Sequence, residues 1–278
     1  MPIGSLPLAA VTVDIVAEWS AANEAVLAKT TASIALLTLR SVLRFAVRRG
    51  WLAVNPVNLL EPSEKPRWRP GKVAILEGDD LARVLDQTGR YRPLYEVMAY
   101  SGLRLGEALG LTWADVDHDG EVLRVHCQLT RYQEHGPLKT EASRREVELA
   151  PAVLKLFRDL RLATPWKGPD DPVFTNTIGR PLDYRKVGTA FREAVRRSGV
   201  RRDGRLSLHS LRHGYSSLLI ASGLDVVFVS RQLGHANPSV TPGVYAHLFA
   251  RREHAERAKA ALEASYGAMA SRGRAPGS

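Results

Sequence analysis

The sequence contains a single cysteine, Cys127, among 278 residues. One cysteine excludes an intramolecular disulfide and is too few for a cysteine-rich zinc site. No segment approaches 18 consecutive apolar residues, so no transmembrane helix is expected. The first residues lack the basic stretch and apolar core of a secretory signal. These absences predict a protein of the reducing cytoplasm that has no membrane partner.

Acidic residues are few relative to basic ones. There are 29 Asp and Glu against 39 Lys and Arg, which gives a formal net charge of +10. A basic surface attracts phosphates and releases their counterions, so a nucleic acid is the expected partner. The apolar content of 45% is ordinary for a globular protein, and the length allows one or two domains. Charge alone does not separate a binding protein from an enzyme.

Apolar periodicity predicts a mainly helical chain. Residues 24–50 show apolar positions at three- and four-residue spacing and end at Gly50, which predicts one helix. The stretch 61–73 contains three prolines and predicts a linker, placed at 63–73. Further helices are predicted near 79–88, 91–101, 104–110, 184–198, 209–222, 225–233 and 251–265, and one is predicted to begin at Pro151.

Two short runs alternate between apolar and polar residues. VLRVHCQL and REVEL predict a small antiparallel sheet, with a turn at Gly136-Pro137 between them. The predicted fold class is therefore α+β and mostly α.

Six polar residues stand in four separate local motifs. The motifs are YSGLRLGEALGLTWADVD, GPLKTEASRREVEL, LSLHSLRHGYSSLLIASG and LGHANPSVTPGVYAHL, and the residues are Arg104, Lys139, His209, Arg212, His235 and Tyr245. Two arginines can clamp one phosphodiester because each guanidinium donates two parallel hydrogen bonds. Lysine and histidine can transfer protons, and a tyrosine can attack phosphorus.

In this order the motifs resemble the tyrosine recombinase (phage integrase) family of DNA strand-transfer enzymes over roughly residues 70–250. The resemblance implies a helical catalytic domain with a small antiparallel sheet over 74–250. Residues 1–62 resemble only the later helices of the family's core-binding domain, so the chain looks N-terminally shortened. A tail helix and a disordered end are expected over 251–278.

The resemblance also implies roles for the six residues. Arg104 and Arg212 would clamp the scissile phosphate, and Tyr245 would attack it. Lys139 would be the general acid for the leaving oxygen. His209 would move a proton or hold a phosphate oxygen.

The family pattern gives His235 a hydrogen bond to the phosphate. Glu107, three residues after Arg104, could orient that arginine by an ion pair, although a solvated salt bridge is equally compatible. His209 and His213 are four residues apart and would suit a metal pair, but the resemblance makes His213 structural. Neither a metal nor another cofactor is expected. Gly214 stands where the family often has a small hydroxyl residue, and little consequence is expected.

The expected partner is double-stranded DNA, bound by a homo-oligomer that forms a tetrameric synapse, with DNA-bending accessory proteins as further candidates. One face of the predicted front helix would also contact DNA through Arg40, Arg44, Arg48 and Arg49. The implied function is site-specific recombination for integration or excision of a mobile element. Two alternatives stay open: a catalytically impaired DNA-binding remnant, and a type IB topoisomerase-like relaxase.

Overall fold

The computed structural model describes residues 3–67, 74–138 and 140–234. The chain divides into two compact units, Met1–Gly71 and Lys72–Ser278. Within the described residues both units are mainly helical, and every strand belongs to the second. The α+β, mostly helical fold class predicted from the sequence is confirmed. The domain boundaries at residues 62 and 73 stay a prediction, and the predicted tail helix over 251–265 lies outside the described residues.

The first unit is built on helices α1 (Val13–Val26) and α2 (Lys29–Arg48), which pack against each other. Thr12 begins α1 because its side-chain oxygen accepts a hydrogen bond from the backbone of Ile15. The small apolar core of this unit draws on both helices and on the segment that follows them. Its buried members are Val11, Val16, Leu36, Leu43, Val57 and Leu60.

The prediction of one helix over 24–50 is wrong in its first part. Helix α1 ends at Val26, and α2 begins at Lys29 after an extended pair, Leu27 and Ala28. The amide of Leu27 donates to the carbonyl of Asn23 and so completes the last turn of α1. Leu, Ala and Lys all favour helix, so local propensity gives no stop here. The helix is interrupted because of tertiary packing. The turn at this point allows Val16 of α1 to pack in the same core as Leu36 and Leu43 of α2.

Helix α2 has the length and mean hydropathy, 1.3, of a membrane span, although only by composition. Arg40 lies near its centre, and a central arginine costs roughly 2.5–3.5 kcal/mol in a bilayer. Leu36 and Leu43 pack into the core of the first unit, whereas Ile34, Leu37 and Val42 are exposed. The central arginine and the packed side favour a helix of a folded domain over a membrane span.

The second unit contains the remaining described helices and five short strands. The helices are α3 (Gly78–Leu85), α4 (Arg92–Ser101), α5 (Leu105–Gly110), α6 (Pro151–Ala163), α7 (Tyr184–Ser198), α8 (Leu208–Ala221) and α9 (Val226–Leu233). The strands are β1 (Val116–Asp117), β2 (Val122–Val125), β3 (Cys127–Leu129), β4 (His135–Pro137) and β5 (Arg145–Glu148). Within the described residues of this unit the predicted helices are thus present, with ends shifted by at most three residues.

The strands form two small antiparallel sheets instead of the single sheet predicted. One has the order β1-β2-β5, with Leu123 opposite Val147, and the other pairs β3 with β4. The run VLRVHCQL is therefore divided at His126, whose Nδ1 lies 2.9 Å from Oδ1 of Asp115. Alternation shows that a segment is extended but does not show its partner, so this division was invisible in the sequence.

The turn predicted at Gly136-Pro137 is also wrong. Both residues belong to β4, and the turn comes earlier, where the amide of Thr130 donates to the carbonyl of Glu134 at 2.8 Å. Gln133 supplies the left-handed turn conformation with φ 64°. A proline is tolerated in β4 because this two-stranded sheet leaves one side of each strand unpaired.

Gly102 sets the geometry at the start of the second unit's site. It ends α4 in the left-handed conformation, φ 65°, as the sequence predicted from its position before Arg104. A Cβ at this position would lie 2.5 Å from Cδ1 of Tyr215 in α8. Only glycine therefore lets α4 pack so closely on α8, and this packing brings the residues after Gly102 beside Arg212.

Candidate functional site

Two of the predicted site arginines converge at the end of α9. Arg104 caps the start of α5, and its Nη2 donates to the carbonyl of Gly234 at 3.4 Å. Arg212 in α8 donates through Nη1 to the carbonyl of Gly102 at 2.7 Å and through Nη2 to that of Leu233. Arg212 is buried, whereas a third of the Arg104 side chain is exposed. The two guanidinium groups thus donate to the carbonyls of adjacent residues, Leu233 and Gly234, although the two arginines belong to separate helices.

Glu107 orients Arg104, and the ion pair predicted between them is present. One carboxylate oxygen accepts from Nη1 of Arg104 at 2.7 Å, and the other accepts from the Arg104 amide at 2.9 Å. Burial by itself raises the pKa of Glu107, but the charge and hydrogen bond of Arg145, with those of Arg104, leave the pKa below its usual value. Glu107 is buried, so this is not the solvated surface salt bridge that the sequence also allowed.

Arg145 is a member of this cluster that the sequence did not single out. Its Nη2 donates to Glu107 at 2.9 Å, and its Nε donates to the carbonyl of Gln232 at 2.7 Å. Gln232 is buried as well, and its side-chain oxygen accepts from the amide of Glu148 at 3.2 Å. These contacts fasten the end of α9 to strand β5.

A signal for Arg145 was present in the run REVEL. Successive residues of a strand point to opposite faces, so Arg145, Val147 and Leu149 share one face. Val147 and Leu149 are apolar and predict that this face is buried. An arginine there must have an anionic partner, because burial of an unpaired charge is costly. The alternation therefore marked Arg145 as a buried and paired arginine.

The two histidines of α8 have different surroundings. His209 is exposed and lies one turn before Arg212. His213 is partly buried, and burial, reinforced by the electrostatic effect of His209 and Arg212, lowers its pKa to about 4. His213 is therefore neutral at pH 7, and its structural role stays a prediction.

A basic groove of about 920 Å³ opens beside Arg104 and His209. Its floor is apolar, and Leu103, Leu129 and Phe191 are among the buried residues that form it. Its described lining contains no carboxylate. The arginines that line it are Arg104, Arg131, Arg185, Arg192 and Arg205.

Three predicted residues, Lys139, His235 and Tyr245, lie outside the described residues. Leu138 and Thr140, the chain neighbours of Lys139, line a cavity of about 190 Å³ together with Arg104 and Glu107. The described part of the chain thus brings together Arg104, Arg212 and His209, and it places the neighbours of Lys139 beside Arg104.

The four arginines predicted to contact DNA from the first unit are all exposed, and three of them share one face of α2. Arg40, Arg44 and Arg48 follow at four-residue spacing. Arg40 donates to the side chain of Asn58 at 2.8 Å. Arg49 lies over the ring of Phe45, with its guanidinium carbon 5.1 Å from the ring centre. The role of these arginines in DNA binding stays a prediction.

The expectation that a glycine at position 214 has little consequence is wrong. A Cβ at this position would lie 2.3 Å from the backbone oxygen of Leu76. Real Cβ atoms do not approach backbone so closely, and the helix would have to move. The missing side chain therefore allows α8 to pack directly on the segment before α3.

Gly214→Ala is expected to lower the free energy of unfolding by about 1–3 kcal/mol, because the overpacking outweighs the better helix propensity of alanine. Gly188→Ala in α7 is the matched control, since a Cβ there meets nothing within 4 Å. The control is expected to gain up to about 1 kcal/mol from helix propensity. Urea denaturation measures both, and equal stabilisation of the two variants would contradict the close contact.

Comparison with known proteins identifies a family and related folds. The model of the phage integrase family matches residues 76–252. Tyrosine recombinase XerC of Halalkalibacterium halodurans is 31% identical over 231 residues, which cover 80% of this chain and 72% of that protein. Prophage integrase IntR of Escherichia coli is 27% identical over 234 residues, or 76% of this chain. The chain spans only 55% of the length of IntR.

Solved structures show the same fold. The Tn1549 transposon integrase, in complex with a circular intermediate DNA, superposes with a TM-score of 0.78 at 20% identity and covers 93% of this chain and 88% of that one. A lambda integrase tetramer bound to a Holliday junction gives a TM-score of 0.65 at 19% identity and covers 84% of this chain and 68% of that one. With the family match over most of the second unit, these findings show that the chain belongs to the phage integrase family of tyrosine recombinases.

Proposed function

We propose that this protein is a site-specific DNA recombinase that cleaves and rejoins DNA through a 3′-phosphotyrosine. The observation that carries the proposal is the convergence of Arg104 and Arg212 on the carbonyls of Leu233 and Gly234. These carbonyls directly precede His235 in the chain. Two guanidinium groups held together can stabilise the extra negative charge of a pentavalent phosphorane more than that of the ground-state phosphodiester.

Tyr245 is the proposed nucleophile. Its phenol oxygen attacks the scissile phosphorus, the bond to the 5′ oxygen breaks, and a 3′-phosphotyrosine and a 5′-hydroxyl form. A 5′-hydroxyl of a partner strand then attacks the phosphotyrosine and releases the phenol. The energy of the phosphodiester is kept in the covalent intermediate, so the strand transfer requires neither a nucleotide cofactor nor a metal.

The other site residues handle protons and phosphate oxygens. Lys139 protonates the departing 5′ oxygen, because an alkoxide is a poor leaving group. His209, exposed beside the groove, moves a proton or holds a phosphate oxygen. His235 donates a hydrogen bond to the phosphate. Glu107 keeps the guanidinium of Arg104 directed toward the site through their ion pair.

Double-stranded DNA is the proposed partner. The groove arginines beside Arg104 and the exposed Arg40, Arg44 and Arg48 supply positive charge for phosphates. A homo-oligomer, tetrameric in the synapse, would bring two DNA sites together. DNA-bending proteins are the proposed accessory factors. The similarity to a prophage integrase and to a transposon integrase supports a role in integration or excision of a mobile element. This reaction would take place in the cytoplasm, on the nucleoid.

A nicked suicide substrate tests the proposed function. Cleavage next to a nick releases a short oligonucleotide that diffuses away, so the covalent intermediate cannot be resealed. The expected result is a protein–DNA adduct that survives denaturing gel electrophoresis. A mobility shift under native conditions without any adduct would instead indicate a DNA-binding remnant. Relaxation of a supercoiled plasmid that lacks a partner site would indicate a type IB-like relaxase.

A further inference from the structure

Three consecutive carbonyls at the end of α9 accept hydrogen bonds from three arginines. Arg145 donates to the carbonyl of Gln232 at 2.7 Å, Arg212 to that of Leu233, and Arg104 to that of Gly234 at 3.4 Å. The last carbonyls of a helix have no partner within the helix and carry partial negative charge. Three guanidinium groups therefore cap this helix end, and His235 is the next residue in the sequence.

Arg145 is buried and joins several elements of the second unit. Only 5% of its side chain is exposed. Besides Gln232, its Nη2 donates to Glu107 at 2.9 Å and its Nη1 to the carbonyl of Ser143 at 2.9 Å. Glu107 is shared, since its other oxygen accepts from Arg104 at 2.7 Å. Arg145 thus connects α5, the start of β5 and the end of α9.

Gly234 shows how closely this region is packed. It ends α9 in the left-handed conformation, and a Cβ at this position would lie 2.9 Å from Nη1 of Arg145. The guanidinium plane of Arg145 therefore occupies the space beside the backbone that leads to His235. The three acceptors are reached from three different nitrogens of the planar guanidinium, whereas a lysine carries all its N–H donors on one nitrogen and cannot span the same acceptors.

We infer that Arg145 is a positioning residue for strand cleavage: through Glu107 and Gln232 it fixes Arg104 relative to the end of α9, without contact to DNA. The inference rests on the proposed function. Arg145 holds two parts of the site that come from distant regions of the sequence, α5 and α9. Misplacement of a catalytic group by about 1 Å can cost on the order of 10²-fold in rate.

The test is Arg145→Lys, which keeps the charge and loses the planar fork. Single-turnover adduct formation on the nicked substrate at saturating protein is expected to slow by on the order of 10²-fold, while the Kd for DNA stays near wild type. The defect should persist when the 5′ bridging oxygen is sulfur, because sulfur removes only the need for an acid. The control Arg144→Lys changes a neighbouring arginine that is 66% exposed, and its rate should equal wild type.

Three results would overturn the inference: a wild-type cleavage rate in Arg145→Lys, a loss confined to Kd, or full recovery on the sulfur substrate. Thermal denaturation shows whether the variant is folded. If it is not, Glu107→Asp decides in its place, because the shorter carboxylate keeps its charge but cannot reach both arginines, and the same rate defect is expected. If the wild-type protein itself forms no adduct, the proposed function fails and the inference falls with it.

Discussion

Tyr245→Phe is expected to abolish the covalent protein–DNA adduct and to leave DNA affinity nearly unchanged. Removal of the phenol oxygen removes the atom that forms the bond to phosphorus, so no partial activity remains. One hydroxyl contributes little to binding, since affinity for DNA comes mainly from many phosphate contacts. The measurement is adduct yield on the nicked substrate under denaturing conditions, with Kd from native gel shifts on the same DNA.

Tyr100→Phe is the matched control, because Tyr100 is exposed in α4 and absent from the lining of the groove. Its adduct yield should equal wild type. Adduct at the wild-type level in Tyr245→Phe would refute the nucleophile assignment.

The buried tyrosines Tyr95 and Tyr215 are poor alternatives to Tyr245 as the nucleophile. Burial raises the pKa of both phenols, that of Tyr215 to about 12. A phenol that is harder to ionise is a weaker nucleophile at neutral pH.

The sequence predicted those parts of the fold that local patterns determine. Gly102 was expected to end a helix before Arg104, and it does so with a positive φ. Helices α7 and α9 are each preceded by an aspartate, Asp183 and Asp225, whose side chain accepts hydrogen bonds from backbone amides of the first turn. The ion pair between Arg104 and Glu107 was also foreseeable, because residues three apart on a helix lie side by side.

The contacts that the sequence did not reveal are long-range. Arg145 and Gln232 are 87 residues apart, and no local pattern indicates that they meet. The division of VLRVHCQL at His126 depends on two different partner strands, and the close approach of Gly214 depends on Leu76. A period of two or of 3.6 residues tells which face is buried but not which element covers it. The resemblance to the family predicts the chemistry, whereas the network that supports the site arises from contacts that form only in the folded chain.

Lys139→Ala is expected to slow cleavage of an ordinary phosphodiester by roughly 10²–10⁴-fold, the usual contribution of a general acid. The 5′ oxygen departs as an alkoxide when no proton is delivered. Leu138 and Thr140, the chain neighbours of Lys139, line the cavity that Arg104 and Glu107 also line. Single-turnover adduct formation on the nicked substrate gives the rate.

Replacement of the 5′ bridging oxygen by sulfur separates the acid from the clamp. A thiolate leaves without protonation, so Lys139→Ala should recover most of the wild-type rate on the sulfur substrate. Arg104→Ala should stay slow on both substrates, because a guanidinium that stabilises charge on the non-bridging oxygens is needed whichever atom leaves. Equal recovery of the two variants would mean that Arg104 also serves proton delivery. In that case the ion pair with buried Glu107 would not serve only to orient Arg104 toward the non-bridging phosphate oxygens.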